Sequence, residues 1–189
     1  MKLNIDKCIL LRCTRSLTPV TFLYTLSGQA LISKSQHPYL GIVFDNTMSW
    51  STHIQMVGNR ATKVLNFVKR NLTDYPTNTK IQAYLTLVRS IMEYASPIWD
   101  PYYNSDIYKL EKVQRRAARW VLSNYSRDTS VTSLLLSLNW LTLQQRRWSS
   151  RLTLFYKIIN NQLPINLPPY YLQTQYHTRQ YHQEHYIVP

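Results

Sequence analysis

Nine carboxylates are spread over the 189 residues: Asp6, Asp45, Asp74, Glu93, Asp100, Asp106, Glu111, Asp128 and Glu184, no two of them adjacent. Phosphoryl transfer through a pair of hard cations needs two or three carboxylates converging on the metals. Nothing in this spacing suggests such a set, so catalysis by this chain alone is not expected. Cys8 and Cys13 have four residues between them, wider than a C-x-x-C pair, and no second ligand pair lies at a fitting distance. His182 and His185 would share one side of a helix and could hold a metal, but with His177 they sit in a tail without periodicity, where simple exposure is the better reading. Three glycines, none in a G-x-x-x-x-G-K-[ST] or G-x-G-x-x-G arrangement, exclude the usual phosphate-cradling loops.

The chemistry that remains is cationic. Between Asp106 and Leu122 the apolar residues Ile107, Leu110, Val113, Ala117 and Val121 recur at helical spacing. Lys109, Lys112, Arg115, Arg116 and Arg119 recur at the same period on the opposite side. Asn104 or Ser105 is placed to cap the helix, and Asp106 puts a negative charge in its first turn. Glu111 precedes Arg115 by four residues, a surface pair contributing about 0.2–0.5 kcal/mol. The ridge therefore stays mostly unpaired. A solvated helix face is the plain explanation. A net charge of +13, from 22 basic and 9 acidic side chains, favours a polyanion partner instead, nucleic acid ahead of an anionic membrane. The 15 tyrosines could stack on bases, although tyrosine more often packs between helices.

The elements that position these cations read as β and then α. Apolar residues make up 44 % of the chain, enough for a sizeable core. Residues 1–48 form a β portion: Cys8–Cys13, Thr21–Leu26, a turn at Ser27-Gly28, a return over Ala30–Ser33, and a strand over Tyr39–Phe44 with Pro38 at its edge. Such short strands make a doubtful free-standing sheet and look like the end of something larger. Residues 49–161 form a helical region. Ser51 opens a helix with Ile54, Val57, Ala61, Leu65, Val68 and Leu72 inward and Arg60, Lys63, Lys69 and Arg70 off that face. After Asp74-Tyr75-Pro76, Thr77 opens another with Ile81, Tyr84, Leu85, Val88, Ile91, Met92 and Ala95 inward, ended by Ser96-Pro97. The basic helix follows. Ser130 caps a short helix over Val131–Ser137, and Thr142 with Gln145 makes a capping box for the last one. That helix turns Trp148, Leu152, Phe155 and Ile159 inward and Arg146, Arg147, Arg151 and Lys157 outward or sideways. Residues 162–189, with Pro164, Pro168 and Pro169, are expected to be extended or disordered. The predicted class is mainly α: a small β portion, then a bundle of about five helices. No apolar run reaches the ~20 residues that span a bilayer, and the charged start is unlike a signal peptide, so an intracellular protein, nuclear or cytoplasmic, is expected.

Several short motifs, in order, carry a resemblance. They are Tyr39-Leu40-Gly41, Trp50, His53-Ile54, Tyr94-Ala95-Ser96, Trp99-Asp100-Pro101, and Leu110-Glu111 with Val113 to Arg119. Ser130-Val131-Thr132, Leu138-Asn139-Trp140, Leu143, Arg146-Arg147 and Leu152 to Ile159 continue it. From about Asn4 to Gln162 the chain resembles the C-terminal part of reverse transcriptases of jockey-like non-LTR retrotransposons: the end of the palm, the thumb and the helical region downstream. The resemblance implies that Lys7 contacts nucleotide phosphates, unless it is simply an exposed lysine at a strand start. It implies that Tyr39-Leu40-Gly41 is the primer-grip hairpin, as against a plain strand bent at Gly41. It also implies that the helices track template–primer backbone. The family's paired aspartates, which hold Mg in the intact enzyme, would lie ahead of Met1. The chain is therefore expected to need no cofactor and not to polymerise alone. Ser90 stands where the family often has proline, which predicts a straight helix there.

The expected function is that of a reverse transcriptase fragment binding RNA or an RNA–DNA template–primer, with an intact reverse transcriptase as a further candidate partner and no membrane. Its contacts would be Tyr39, Leu40, Gly41, Arg60, Lys63, Lys69, Arg70, Lys109, Lys112, Arg115, Arg116, Arg119, Arg146 and Arg147, gathered into one concave basic band. The alternatives are a helical protein-interaction module anchored on Trp50, Trp99, Trp120, Trp140 or Trp148, and a non-functional element remnant.

Overall fold

In a computed structural model of the chain, the structure describes residues 4–165 apart from 15, 17, 19 and 20. The sequence expectations for His177, His182, His185 and most of the 162–189 segment lie outside the described residues. A 3-10 turn, Ile5–Lys7, leads into β1, Ile9–Leu11, which pairs in parallel with β4, Ile32–Lys34. Between them β2, Thr25–Leu26, and β3, Gln29–Ala30, form a hairpin about Ser27-Gly28. Both turn residues have positive φ, 51° and 81°, as a two-residue hairpin loop of the primed kind requires. The expected strand over Tyr39–Phe44 is instead two arms. β5, Gln36–Tyr39, and β6, Ile42–Asp45, are antiparallel and fold back at Leu40-Gly41, with φ of 48° and 82°. Gly41 gives the second turn position a φ that costs other residues, and so the apolar run Y-L-G-I-V folds back instead of running through.

The helices follow in the expected order: α1, Ser51–Asn71; α2, Thr77–Ala83; α3, Ser90–Glu93; α4, Asn104–Val121; α5, Val131–Ser137; and α6, Leu143–Ile159. The fold is thus mainly α with a small N-terminal β portion. α2 and α3 are joined without a break by a π-helical stretch, Tyr84–Arg89. The straight α-helix expected around Ser90 is therefore corrected to an α–π–α run. Its hydroxyls fit this. Ser90 Oγ donates to the Thr86 carbonyl and Thr86 Oγ1 to that of Gln82, at 2.5 and 2.8 Å, partnering carbonyls where the ladder is irregular. The π stretch also aligns Lys80, Tyr84, Val88 and Met92, four apart, on the buried side.

Caps follow the sequence only in part. Thr142 and Gln145 form the expected box: Gln145 N–H donates to Thr142 Oγ1 at 3.1 Å, and Thr142 N–H to Gln145 Oε1 at 3.1 Å. The N-cap of α1 is Trp50, not Ser51, and that of α4 is Tyr103, not Asn104 or Ser105. Ser51 instead donates its hydroxyl to Asp106 at 2.5 Å, tying the start of α1 to the start of α4. At the far ends Lys69 Nζ lies 5.8 Å from the Tyr125 ring centroid. The two helices therefore run side by side in the same direction.

The core is built on Ile54, Leu65, Val88, Met92, Trp99, Leu110, Ala117 and Leu143, all fully or almost fully buried. It holds one polar device. Gln114, in the middle of the apolar face of α4, accepts from the Tyr84 hydroxyl at 2.9 Å and donates to the Leu141 carbonyl at 2.8 Å, while the Tyr84 ring stacks on Trp140 at 4.4 Å. Each buried polar atom in that chain has a partner, which removes the cost of burying it.

The chain divides into two compact units, residues 1–147 and 148–189, the boundary falling within α6. In the first unit α6 buries Leu143 and Arg147. In the second, Trp148 is 57 % exposed and Leu152 is also exposed, whereas Phe155 and Ile159 are half-buried. The expected inward face, Trp148-Leu152-Phe155-Ile159, is corrected in its first two members. Among the described residues no helix is long and apolar enough to cross a membrane.

Candidate nucleic-acid interface

The amphipathic pattern of α4 puts Leu110, Val113, Ala117 and Val121 inward, as read from the sequence. The basic residues on its other side are used in four different ways. Lys109 Nζ pairs with Asp106 Oδ1 at 2.8 Å. Arg115 lies over the Tyr108 ring at 5.6 Å, a cation–π contact within the helix. Arg119 reaches past the end of the helix and donates to the carbonyls of Ser126 and Thr129 at 2.8 and 3.3 Å, holding the loop that follows. Lys112 and Arg116 have no ion-pair partner among the described residues and are exposed. The expected Glu111–Arg115 pair is absent, because Glu111 is buried and its Oε1 accepts from the Gln144 backbone N–H at 2.9 Å, capping the start of α6.

Lys109, Lys112 and Arg116 line a cleft between α1 and α4 of about 260 Å³. Ile54 and Val113 supply its apolar lining, and Gln55, Asn59 and Thr62 line it from α1. No carboxylate is among its lining residues. The helical rise spreads the three cations over about 10 Å of α4. Gln55 Nε2 donates to Asn59 Oδ1 at 2.9 Å, which leaves the Asn59 amide hydrogens as donors. The floor is Gly58, buried in mid-helix, where a Cβ would meet nothing within 4 Å. Glycine inside a helix costs roughly 0.5–1 kcal/mol relative to alanine, and no close neighbour explains the cost here.

The other cations on α1 point elsewhere. Arg60 lies two residues past Gly58, about 200° around the helix. It opens on a second, larger cleft of about 620 Å³ lined by Leu40, Gly41, His53, Met56, Val57, Ser90, Ile91 and Tyr94. Lys63 and Arg70 are exposed on α1, and Lys69 faces Tyr125. The hairpin turn borders the larger cleft: the Tyr94 hydroxyl donates to the Leu40 carbonyl at 3.0 Å, and the Tyr94 ring would lie 3.4 Å from a Cβ at Gly41. Tyr39 and Leu40 are both exposed. Lys7 is exposed at the end of the 3-10 turn.

Two residues placed outward by the sequence reading are engaged inside. Arg147 is buried, and its Nε donates to Asp100 Oδ1 at 2.9 Å. Arg146 is clasped by Glu93 through both carboxylate oxygens, and Arg89 stands beside the same carboxylate. The single concave band expected from the sequence is therefore corrected. Three cations share one cleft, Arg60 faces another, Arg119 and Arg146 are committed to intramolecular contacts, and Arg147 is interior.

Sequence reasoning missed the structural use of His53. It is buried and packs edge-on against Trp99 at 5.1 Å. Its Nδ1 accepts from the Val43 N–H at 3.2 Å, pinning β6 to α1. The proton of the neutral ring therefore sits on Nε2, which is buried without a partner. Burial holds the His53 pKa below the usual histidine value. At the α1–α4 joint, burial opposes ionisation of Asp106, but hydrogen bonds from Lys109 and Ser51 outweigh it and hold the carboxyl below its ordinary value. Four of the five tryptophans, Trp50, Trp99, Trp120 and Trp140, are packed in or against the core, and only Trp148 is exposed. Among the described residues no three His, Cys, Asp or Glu side chains are grouped so as to hold a metal ion.

The chain is similar to a protein of Drosophila melanogaster described as a probable RNA-directed DNA polymerase from transposon BS. The two are 27 % identical over 169 residues, which take in 85 % of this chain and 18 % of that protein. The chain thus spans less than a fifth of that relative's length, a distant and partial likeness to a transposon polymerase. No family model matches the chain, and no solved structure matches it.

Proposed function

We propose that this chain is a nucleic-acid-binding fragment of a reverse transcriptase of the transposon type, which holds the backbone of RNA or of an RNA–DNA template–primer and leaves polymerisation to carboxylates outside it. The observation that carries this reading is the α1–α4 cleft, where Lys112 and Arg116, unpaired, and Lys109, held by Asp106, face amide and hydroxyl groups with no carboxylate in the lining. Such a surface attracts phosphate and offers few acceptors to read a base edge. The polymerase likeness supports the same reading from a separate direction.

Backbone binding releases counterions, so log affinity falls linearly with log salt, by about 0.7–0.9 per phosphate neutralised. Fluorescence anisotropy with a labelled RNA–DNA hybrid, titrated at several salt concentrations, measures that slope. A slope of about −1.4 or steeper is expected, from Lys112 and Arg116 together. Affinity that ignores salt, or no affinity at low salt, overturns the reading. The competing protein-interaction reading has fewer anchors than the sequence suggested, since only Trp148 remains exposed among the tryptophans.

A further inference from the structure

Gly58 is the least explained residue of the first unit. Its φ is not positive, so a left-handed backbone does not require it. No neighbouring atom lies within 4 Å of a Cβ built there. It is nevertheless buried, between Ile54 and Ala61, each with no exposed surface. A side chain there would project into the cleft that Lys109, Lys112 and Arg116 line. The missing side chain therefore leaves the cleft its depth.

We propose that the cleft over Gly58 seats one backbone phosphodiester of a nucleic-acid strand, with Arg116 and Lys112 as its charged donors and the Asn59 amide as its neutral one. This rests on the nucleic-acid reading above and adds the seat and the mode of recognition. The volume of about 260 Å³ is several times the ~30 Å³ share of a water molecule, room for a phosphate with part of its sugar. The unpaired charged groups are donors, Lys112 and Arg116, Lys109 being held by Asp106, and the Asn59 amide, whose carbonyl is already bonded to Gln55, adds a neutral donor. Arg116 can present two parallel N–H groups to two phosphate oxygens, while Lys112 acts as a point charge. Ile54 and Val113 are apolar and offer no hydrogen bond to a base. With two unpaired cations against the Gln55 carbonyl and the Thr62 hydroxyl as acceptors, recognition in the cleft is chiefly of the strand's backbone.

The experiment compares the wild-type chain with Gly58→Ala, Gly58→Met and the double variant Lys112→Ala/Arg116→Ala, each titrated with 12-nucleotide oligouridine, 12-nucleotide oligoadenine and an RNA–DNA hybrid. Gly58→Met fills the floor without removing a charge. It is expected to weaken binding at least tenfold and to flatten the salt slope by about 0.7–0.9. Gly58→Ala is expected to raise the melting temperature and to change affinity less than threefold. The two homopolymers are expected to bind within a few-fold of each other. Wild-type affinity in a folded Gly58→Met, where the double variant is weakened, overturns the seat and leaves the broader reading standing. Failure of the wild type to bind any of the three probes overturns both. A tenfold preference between the homopolymers overturns backbone recognition. Should Gly58→Met fail to fold, the wild type still decides. The Gly58 backbone N–H and the Asn59 side-chain amide resonances shift on adding oligouridine if the seat is occupied, and their constancy at saturation overturns it.

Discussion

Two pairs of basic residues, Lys112/Arg116 on α4 and Arg146/Arg147 at the start of α6, look alike in the sequence and are put to opposite use. Arg146 and Arg147 meet Glu93 and Asp100, 53 and 47 residues away, and hold α6 against the end of α3 and the loop after it. Lys112 and Arg116 meet no acid and are left facing an open cleft. The difference lies in the acids, not in the bases. Glu93, Asp100, Asp106 and Glu111 are each turned toward a fixed internal partner, and Asp45 is taken up by the backbone N–H groups of Thr47 and Ser49. With nine acids against 22 basic residues, and five of the nine engaged within the fold, cations such as Lys112 and Arg116 are left to a partner. A basic residue in this chain is structural where the fold brings it an internal partner, a carboxylate for Arg146 and Arg147 or backbone carbonyls for Arg119, and a candidate contact where it does not.

The sharpest way to break this contrast is to remove Arg147. A buried ion pair deprived of one member costs about 3–5 kcal/mol, so Arg147→Ala is expected to lower the urea midpoint severely. A loss under about 1 kcal/mol would return Arg147 to the set of surface cations. Tyr84→Phe tests the polar device in the core. It strips Gln114 Oε1 of its donor, and an unsatisfied buried acceptor costs about 1–3 kcal/mol, read in the same unfolding assay. A smaller effect belongs to pH. The folded-state pKa of His53 is lowered from 6.5, so the stability it contributes is fully present above the unfolded value and is lost as pH falls through the folded one. The melting temperature is expected to drop between pH 7.5 and pH 5. The drop should shrink in His53→Asn, which keeps an acceptor for Val43 N–H but does not titrate. Asp106, lowered from 3.8, loses its contribution only below about pH 4, so the two steps are separable. An equal drop in wild type and His53→Asn assigns the pH effect elsewhere.

How much of this was legible before the structure depended on range. Local signals read well. The period of α4 located its buried face, the T-x-x-Q spacing located the start of α6, and Ser27-Gly28 marked a hairpin. The π stretch did not read, because Tyr84, Val88 and Met92, four apart, fit an α-helix nearly as well. Arg147 did not read either. Periodicity assigns every arginine to the outside, and its partner Asp100 lies on a different segment. Gln114 shares the apolar register of α4 but carries no hydrophobic signal, so its place between Tyr84 and Leu141 was invisible. For the interface, the residue types were legible but their division among faces was not. That division depends on the parallel pairing of α1 with α4, set by Ser51 and Asp106, 55 residues apart.

The most direct measurement is the salt slope of RNA–DNA hybrid binding in Lys112→Ala/Arg116→Ala against wild type. These exposed residues have no ion pair among the described residues, so folding stability should stay within about 0.5 kcal/mol of wild type, while the slope flattens by about 1.4–1.8. A double variant that folds as well as the wild type and keeps its full salt slope would contradict the claim that cations left without internal carboxylates are the ones that hold phosphate.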